Sequence, residues 1–152
     1  MGNHTYIISE RLFHKEKNEK TRTFLEGTDI DPDDELHSEP LSIEKIKNIL
    51  PQLGYVLEKG EILNSKKDEW QCLIHKNGEL KVRLIISGFT DFETEVGMIQ
   101  VGRESDERSA IEIFLALTPS CGKFLYYCDS GIMASISPGK TVEKIYQEFN
   151  DR

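Results

Sequence analysis

At 152 residues the chain is the size of one ordinary domain, long enough to bury roughly two-thirds of its unfolded surface without a disulfide or metal staple. Hydrophobic residues make up 38% and charged residues 30%, which excludes a disordered or fibrous chain. The net charge of −8 argues against a nucleic-acid partner, because an acidic surface repels phosphate.

That charge is unevenly placed. Residues 1–25 carry a net +2, residues 26–40 hold seven acids and no Lys or Arg, and the remainder carries a net −3. Cys72, Cys121 and Cys128 are odd in number and lack C-x-x-C spacing, which suits reduced thiols in a cytoplasmic protein. Cys72 and Cys128 read as core thiols and Cys121 as a loop residue open to solvent. The start has no apolar h-region, and Tyr6 stands where a myristoylation signal wants Ser or Thr. No apolar run reaches the length of a membrane span.

Tyr6-Ile7-Ile8 reads as a strand, and Thr21 to Leu25 as a second extended piece joined to it by a hairpin near Lys17-Asn18. Residues 26–40 form an irregular acidic loop, since Pro32, Pro40 and the density of Asp oppose regular structure. A helix is expected over 42–53: Ser42 is the N-cap, Ile43, Ile46, Ile49, Leu50 and Leu53 share one face, Pro51 marks a stop or kink, and Gly54 ends it.

Asn77-Gly78 is a favoured two-residue type I′ turn, predicting a hairpin from Trp70 to Ser87. Unbroken pairing from that turn sets Lys76 opposite Glu79, Ile74 opposite Lys81, Cys72 opposite Arg83 and Trp70 opposite Ile85. Leu73, Leu80, Val82, Leu84 and Ile86 then form the apolar face. A second hairpin is expected from Ile111–Thr118 and Lys123–Asp129 around Pro119-Ser120-Cys121-Gly122, with a further strand at Ile132–Ile136. A helix over 138–149 carries Val142, Ile145, Tyr146 and Phe149 on one stripe. The sum is a single α+β domain, 1–152, with a mostly antiparallel sheet of five to seven strands and two or more helices packed on it. Tyr6–Ile8 or Val96–Val101 could supply an exposed edge for a dimer.

Three chemical motifs come near and fail. Gly139-Lys140-Thr141 ends like a phosphate loop, but Ala134 stands where the first glycine must be. Asp68 with Glu79-x-Lys81 resembles a nuclease metal set, yet the hairpin register holds the two acids more than about 20 Å apart. Asp29, Asp31, Asp33 and Glu35 alternate like calcium ligands, but Asp34 and Pro40 occupy the obligatory Gly and Glu positions. No catalytic, cofactor or metal residues are assigned, and the four histidines share no spacing.

What remains is concentrated charge. Asp29, Asp31, Asp33, Asp34 and Glu35 in the loop, together with Asp91, Glu93 and Glu95 on an alternating segment, are the expected contacts for a protein with a basic surface. In size, acidity and expected compartment the chain resembles bacterial immunity proteins that neutralise toxins, a likeness of type and charge carried by no motif. The competing class is an enzyme or ligand-binding domain whose carboxylate or Cys121 site converges only in the fold.

Overall fold

The computed structural model describes residues 4–15, 18–62, 69–87 and 94–150. Seven strands form one sheet: β1 (Thr5–Ser9), β2 (Val56–Ile62), β3 (Glu69–Lys76), β4 (Glu79–Ser87), β5 (Ile99–Val101), β6 (Phe124–Cys128) and β7 (Met133–Ile136). Their order is β2-β3-β4-β5-β1-β6-β7, and every neighbouring pair is antiparallel. The α+β class and the antiparallel sheet expected from sequence are both observed. Helices α3 (Ile43–Ile49), α4 (Glu107–Cys121) and α5 (Val142–Asn150) pack against one face, while the short α1 (Glu10–Lys15) and α2 (Glu19–Phe24) follow β1 directly.

The helix after residue 42 forms as its sequence demands. Ser42 Oγ accepts from Lys45 N at 3.2 Å, and Ile43 and Ile46 are buried. Pro51 ends the α-helix and opens a 3-10 turn, Pro51–Leu53, which Gly54 closes at φ 83°. Helix α5 begins at Val142, later than the expected 138. Pro138-Gly139 forms a turn, and Thr141 Oγ1 accepts from Lys144 N at 3.1 Å as the cap.

The β3–β4 hairpin turns at Asn77-Gly78, both at positive φ. Its register departs from the unbroken one. Lys76 pairs with Glu79 and His75 with Leu80, but Ile74 then pairs with Val82, so Lys81 is an extra residue on β4. This bulge moves every later partner by one: Cys72 faces Leu84 and Trp70 faces Ile86. Trp70, Cys72 and Ile74 thereby join Val82, Leu84 and Ile86 in the main core, whereas Leu73 is only half-buried and Leu80 is exposed. Extended to the end of the hairpin, the unbroken register would set Asp68 opposite Ser87, but Ser87 pairs with Glu69; Asp68 lies outside the described residues.

Three further expectations are overturned. Residues 107–121 are helical, and only the Lys123–Asp129 half of the supposed second hairpin is a strand. Alternating Ile111, Ile113, Leu115 and Leu117 suggests a strand. Yet the buried set Ala110, Ile111, Ile113, Phe114, Leu117, Thr118 and Cys121 follows helical spacing. Asp106 caps the start, accepting from Ser109 N at 3.3 Å and Ser109 Oγ at 2.6 Å. Pro119, inside the last turn, cannot donate to the Leu115 carbonyl; the Thr118 hydroxyl donates to it instead at 2.7 Å.

Near the start, the extended piece at 21–25 is replaced by α2, whose cap Asn18 accepts from Thr21 N at 2.9 Å. Lys17 of the supposed turn lies outside the described residues. β1 and β5 are interior strands rather than edges; the edges are β2 and β7.

Strand β1 inserts between β5 and β6, with Ile7 paired to Ile99 on one side and Tyr126 on the other. Ile7 is fully buried in the main core. Ile7→Ala is expected to lower stability by about 2–5 kcal/mol, read as the shift in urea midpoint at unchanged slope. A loss below about 1 kcal/mol would show that β1 carries little of the fold.

Candidate interaction surface

Period-2 alternation sends Ile7 into the main core and Tyr6 to the opposite face. Because Tyr6 pairs with Tyr127 across β1–β6, their rings lie side by side at 5.3 Å. Phe24 from α2 meets Tyr127 edge-on at 5.9 Å and 88°, and Phe13 from α1 lies 6.0 Å from Phe24. The Tyr127 hydroxyl donates to Met98 Sδ at 3.3 Å. Beneath this strip Leu25, Ile30 and Leu125 form a small second core, with Phe13, Tyr127 and Met133 packed against it. The strip is not fully covered: Phe24 is 40% and Met98 47% exposed.

The acidic loop starts at the end of α2 and is fastened to this face. Leu25 and Ile30 anchor it from below, and Lys123 Nζ donates to the Asp29 carbonyl at 2.6 Å. The Asp29 carboxylate accepts from Ser137 Oγ at 2.6 Å, and the Asp29 amide donates to Ser135 Oγ at 3.3 Å. Partial desolvation pushes the Asp29 carboxyl upward. Hydrogen bonds from Ser135 and Ser137 and the charges of Lys140 and Lys123 outweigh it, holding the group below the usual carboxylate range.

The other candidate acids divide by role. Asp31 accepts from Asp33 N at 2.9 Å in a local turn, and Asp33 takes a two-point contact from Arg22 Nε and Nη2 at 3.0 and 2.8 Å. Arg22 therefore ties the loop back to α2. Glu26, Asp31, Asp34 and Glu35 face solvent. Glu95 stands apart from this surface. It receives Arg11 Nε at 2.8 Å and Lys15 Nζ at 2.6 Å, while Arg11 Nη1 also donates to the Ser38 carbonyl at 2.5 Å. It thus fastens α1 to the end of the acidic loop. Asp91 and Glu93 lie outside the described residues.

Cys121 is buried in α4, not open in a loop, and Cys72 and Cys128 are buried as expected. Burial pushes the Cys72 thiol up to about 12. Among the described residues no group of three or more His, Cys, Asp or Glu is placed to hold a metal ion, and no helix is long and apolar enough to cross a membrane.

The acids of this surface are visible in the sequence as charge, whereas Phe13, Phe24, Met98 and Tyr127 go unmarked there. The available signal is the helical start Asn18-Glu19, which turns Phe24 away from a strand. No family model, curated protein or solved structure matches the chain.

Glu95 is 18% exposed and bonded to two cations, so desolvation, which raises its pKa, is outweighed by Lys15 and Arg11 and the carboxyl lies low. A depressed folded-state pKa contributes stability above the unfolded value that is lost as pH falls through the folded one. Glu95→Gln is therefore expected to cost about 1–3 kcal/mol at pH 7. The deficit should shrink as pH falls below about 4. Urea titrations of both proteins from neutral to acid pH check this, and a deficit independent of pH would refute the ionic role.

Proposed function

We propose that this protein is a binding domain for a partner protein that offers a basic surface with an apolar anchor, in the manner of an inhibitor or immunity protein. The observation that carries the reading is that the loop leaving α2 just after the exposed Phe24 holds Glu26, Asp31, Asp34 and Glu35 to solvent, while Met98 is exposed on the same aromatic strip. Aromatic and Met side chains supply buried contact energy at interfaces, while charges set encounter rate and choice of partner. Neither half alone distinguishes a docking face from ordinary surface. Together they favour a cationic, partly apolar partner over nucleic acid, whose phosphates the net charge of −8 repels.

Fastening of the loop supports the same reading. Asp29 and Asp33 are engaged in holding it, so its solvent-facing acids are presented from a frame tied at two points, which lowers the ordering cost of association.

The test uses two variants of the full chain against a partner isolated by stoichiometric, salt-sensitive co-purification. Phe24→Ala should weaken binding by about 2 kcal/mol, some thirtyfold, mainly through faster dissociation. The Asp31→Asn, Asp34→Lys, Glu35→Lys triple variant should slow association and flatten its salt dependence. Full affinity retained by both proteins in surface plasmon resonance would sink the proposal.

A further inference from the structure

Met98 brings to the aromatic strip a side chain whose chemistry can change. Its neighbour Ile99 is fully buried and pairs with Ile7 and Ile86, so period-2 alternation sends Met98 to the outer face with Gln100 and Tyr6. Met98 is 47% exposed and belongs to neither core. Met133, the other methionine among the described residues, is half-buried and packs against the second core. Oxidation of Met98 therefore costs the fold no core contact, whereas oxidation of Met133 would place a polar group against Leu25, Ile30 and Leu125.

A thioether and its oxide differ as hydrogen-bond acceptors. The sulfur of Met is a weak acceptor, yet the Tyr127 hydroxyl donates to Met98 Sδ at 3.3 Å, in a contact open to solvent. A sulfoxide oxygen is polar and takes the same donor more strongly. Burial first, then the charges of Tyr6 and Asp129, push the Tyr127 pKa up, so the hydroxyl keeps its proton at every physiological pH. Peroxide thus reaches Met98 without opening the fold, and the donor that holds the product is already in place.

We propose that Met98 is a selective, reversible oxidation site whose sulfoxide, held by Tyr127, turns the apolar part of the docking face polar. The chemistry stands by itself, while its effect on binding rests on the docking function proposed above. A hydroperoxide gives one oxygen to a sulfur lone pair: the S–O bond forms, the O–O bond breaks, and sulfur is oxidised by two electrons. With hydrogen peroxide, the proton of the transferred oxygen passes to the departing hydroxide, which leaves as water. Two thiols of a methionine sulfoxide reductase reverse the change, becoming a disulfide as the oxygen leaves as water. A partner must strip water from this patch to bind it, and the added oxygen makes that costly.

The experiment treats the full chain, isotope-labelled at its methionine methyl groups, with hydrogen peroxide. Peptide mass spectrometry should find Met98 oxidised about tenfold faster than Met133. The methyl resonance of the Met98 sulfoxide should lie away from that of free methionine sulfoxide. Tyr127→Phe, which keeps the ring and removes the donor, should bring it back. The urea midpoint should not fall on oxidation. The partner isolated by co-purification should bind the oxidised protein about tenfold more weakly, and the reductase should restore affinity. Met98→Leu should bind equally before and after peroxide. Equal oxidation of both methionines, or a methyl resonance indifferent to Tyr127→Phe, would overturn the site. Unchanged partner affinity after full oxidation of Met98 would overturn the switch, with docking still upheld if Phe24→Ala weakens binding. If neither change weakens binding, the docking function itself fails, and mass and methyl readouts alone decide the oxidation site.

Discussion

The pairing of β1 on both sides is the constraint on which the rest depends. The strands β2 to β5 form one antiparallel run and β6–β7 a separate hairpin; without β1 no ladder joins them. The five residues Thr5–Ser9 close that gap by contributing backbone hydrogen bonds to two neighbours at once. β1 pairs with Ile99–Val101 and Phe124–Cys128, more than ninety residues away along the chain. Such contacts have high loop-closure entropy, so the sheet is complete only when distant segments have found each other.

Placing β1 in the interior also settles where the unpaired backbone lies. Edge strands are a hazard because they template further pairing. β2 meets that hazard with a register shift between Leu57 and Lys59 and with the exposed charge of Glu58 at the same point. β7 meets it with four residues only and with polar cover: Lys140 Nζ donates to the Ser135 carbonyl at 3.2 Å, and the Asp29 amide reaches Ser135 Oγ. Part of the acidic loop thus works as a strand guard. This explains why Asp29, the first of the candidate binding acids, is engaged by Lys123, Ser135 and Ser137 although the residue is exposed.

How much was legible in the sequence follows from how local each cause is. Ser42, Pro51, Gly54 and the Asn77-Gly78 turn act over one to four residues, and all of them do what their chemistry requires. The bulge at Lys81 does not follow from the turn. It is selected by the core, which must take Trp70, Cys72 and Ile74 on the same side as Val82, Leu84 and Ile86. Six apolar side chains outweigh one unpaired ladder position. Helix α4 was hidden for a different reason: residues 111–117 are apolar at almost every position, so strand and helix periods both fit. The arbiter was Asp106 three residues before Ser109, with length behind it. The candidate acids were visible as charge. Their division into tethers and free groups depends on Arg22, Arg11 and Lys15, which sequence cannot aim.

The aromatic strip descends from the same insertion. Tyr6 lies beside Tyr127 because β1 pairs with β6 in one register; a shift by one residue would send Tyr6 inward and Ile7 outward. Register errors in this strand are opposed by the full burial of Ile7, since slipping it would expose a core side chain and bury a phenol without a partner. The residue that fixes the fold most tightly is therefore also the one that aligns the aromatic strip. A chain in which β1 detached would retain the acids of residues 26–40. It would lose the Tyr6–Tyr127 pair, and with it the ring against which Phe24 packs edge-on.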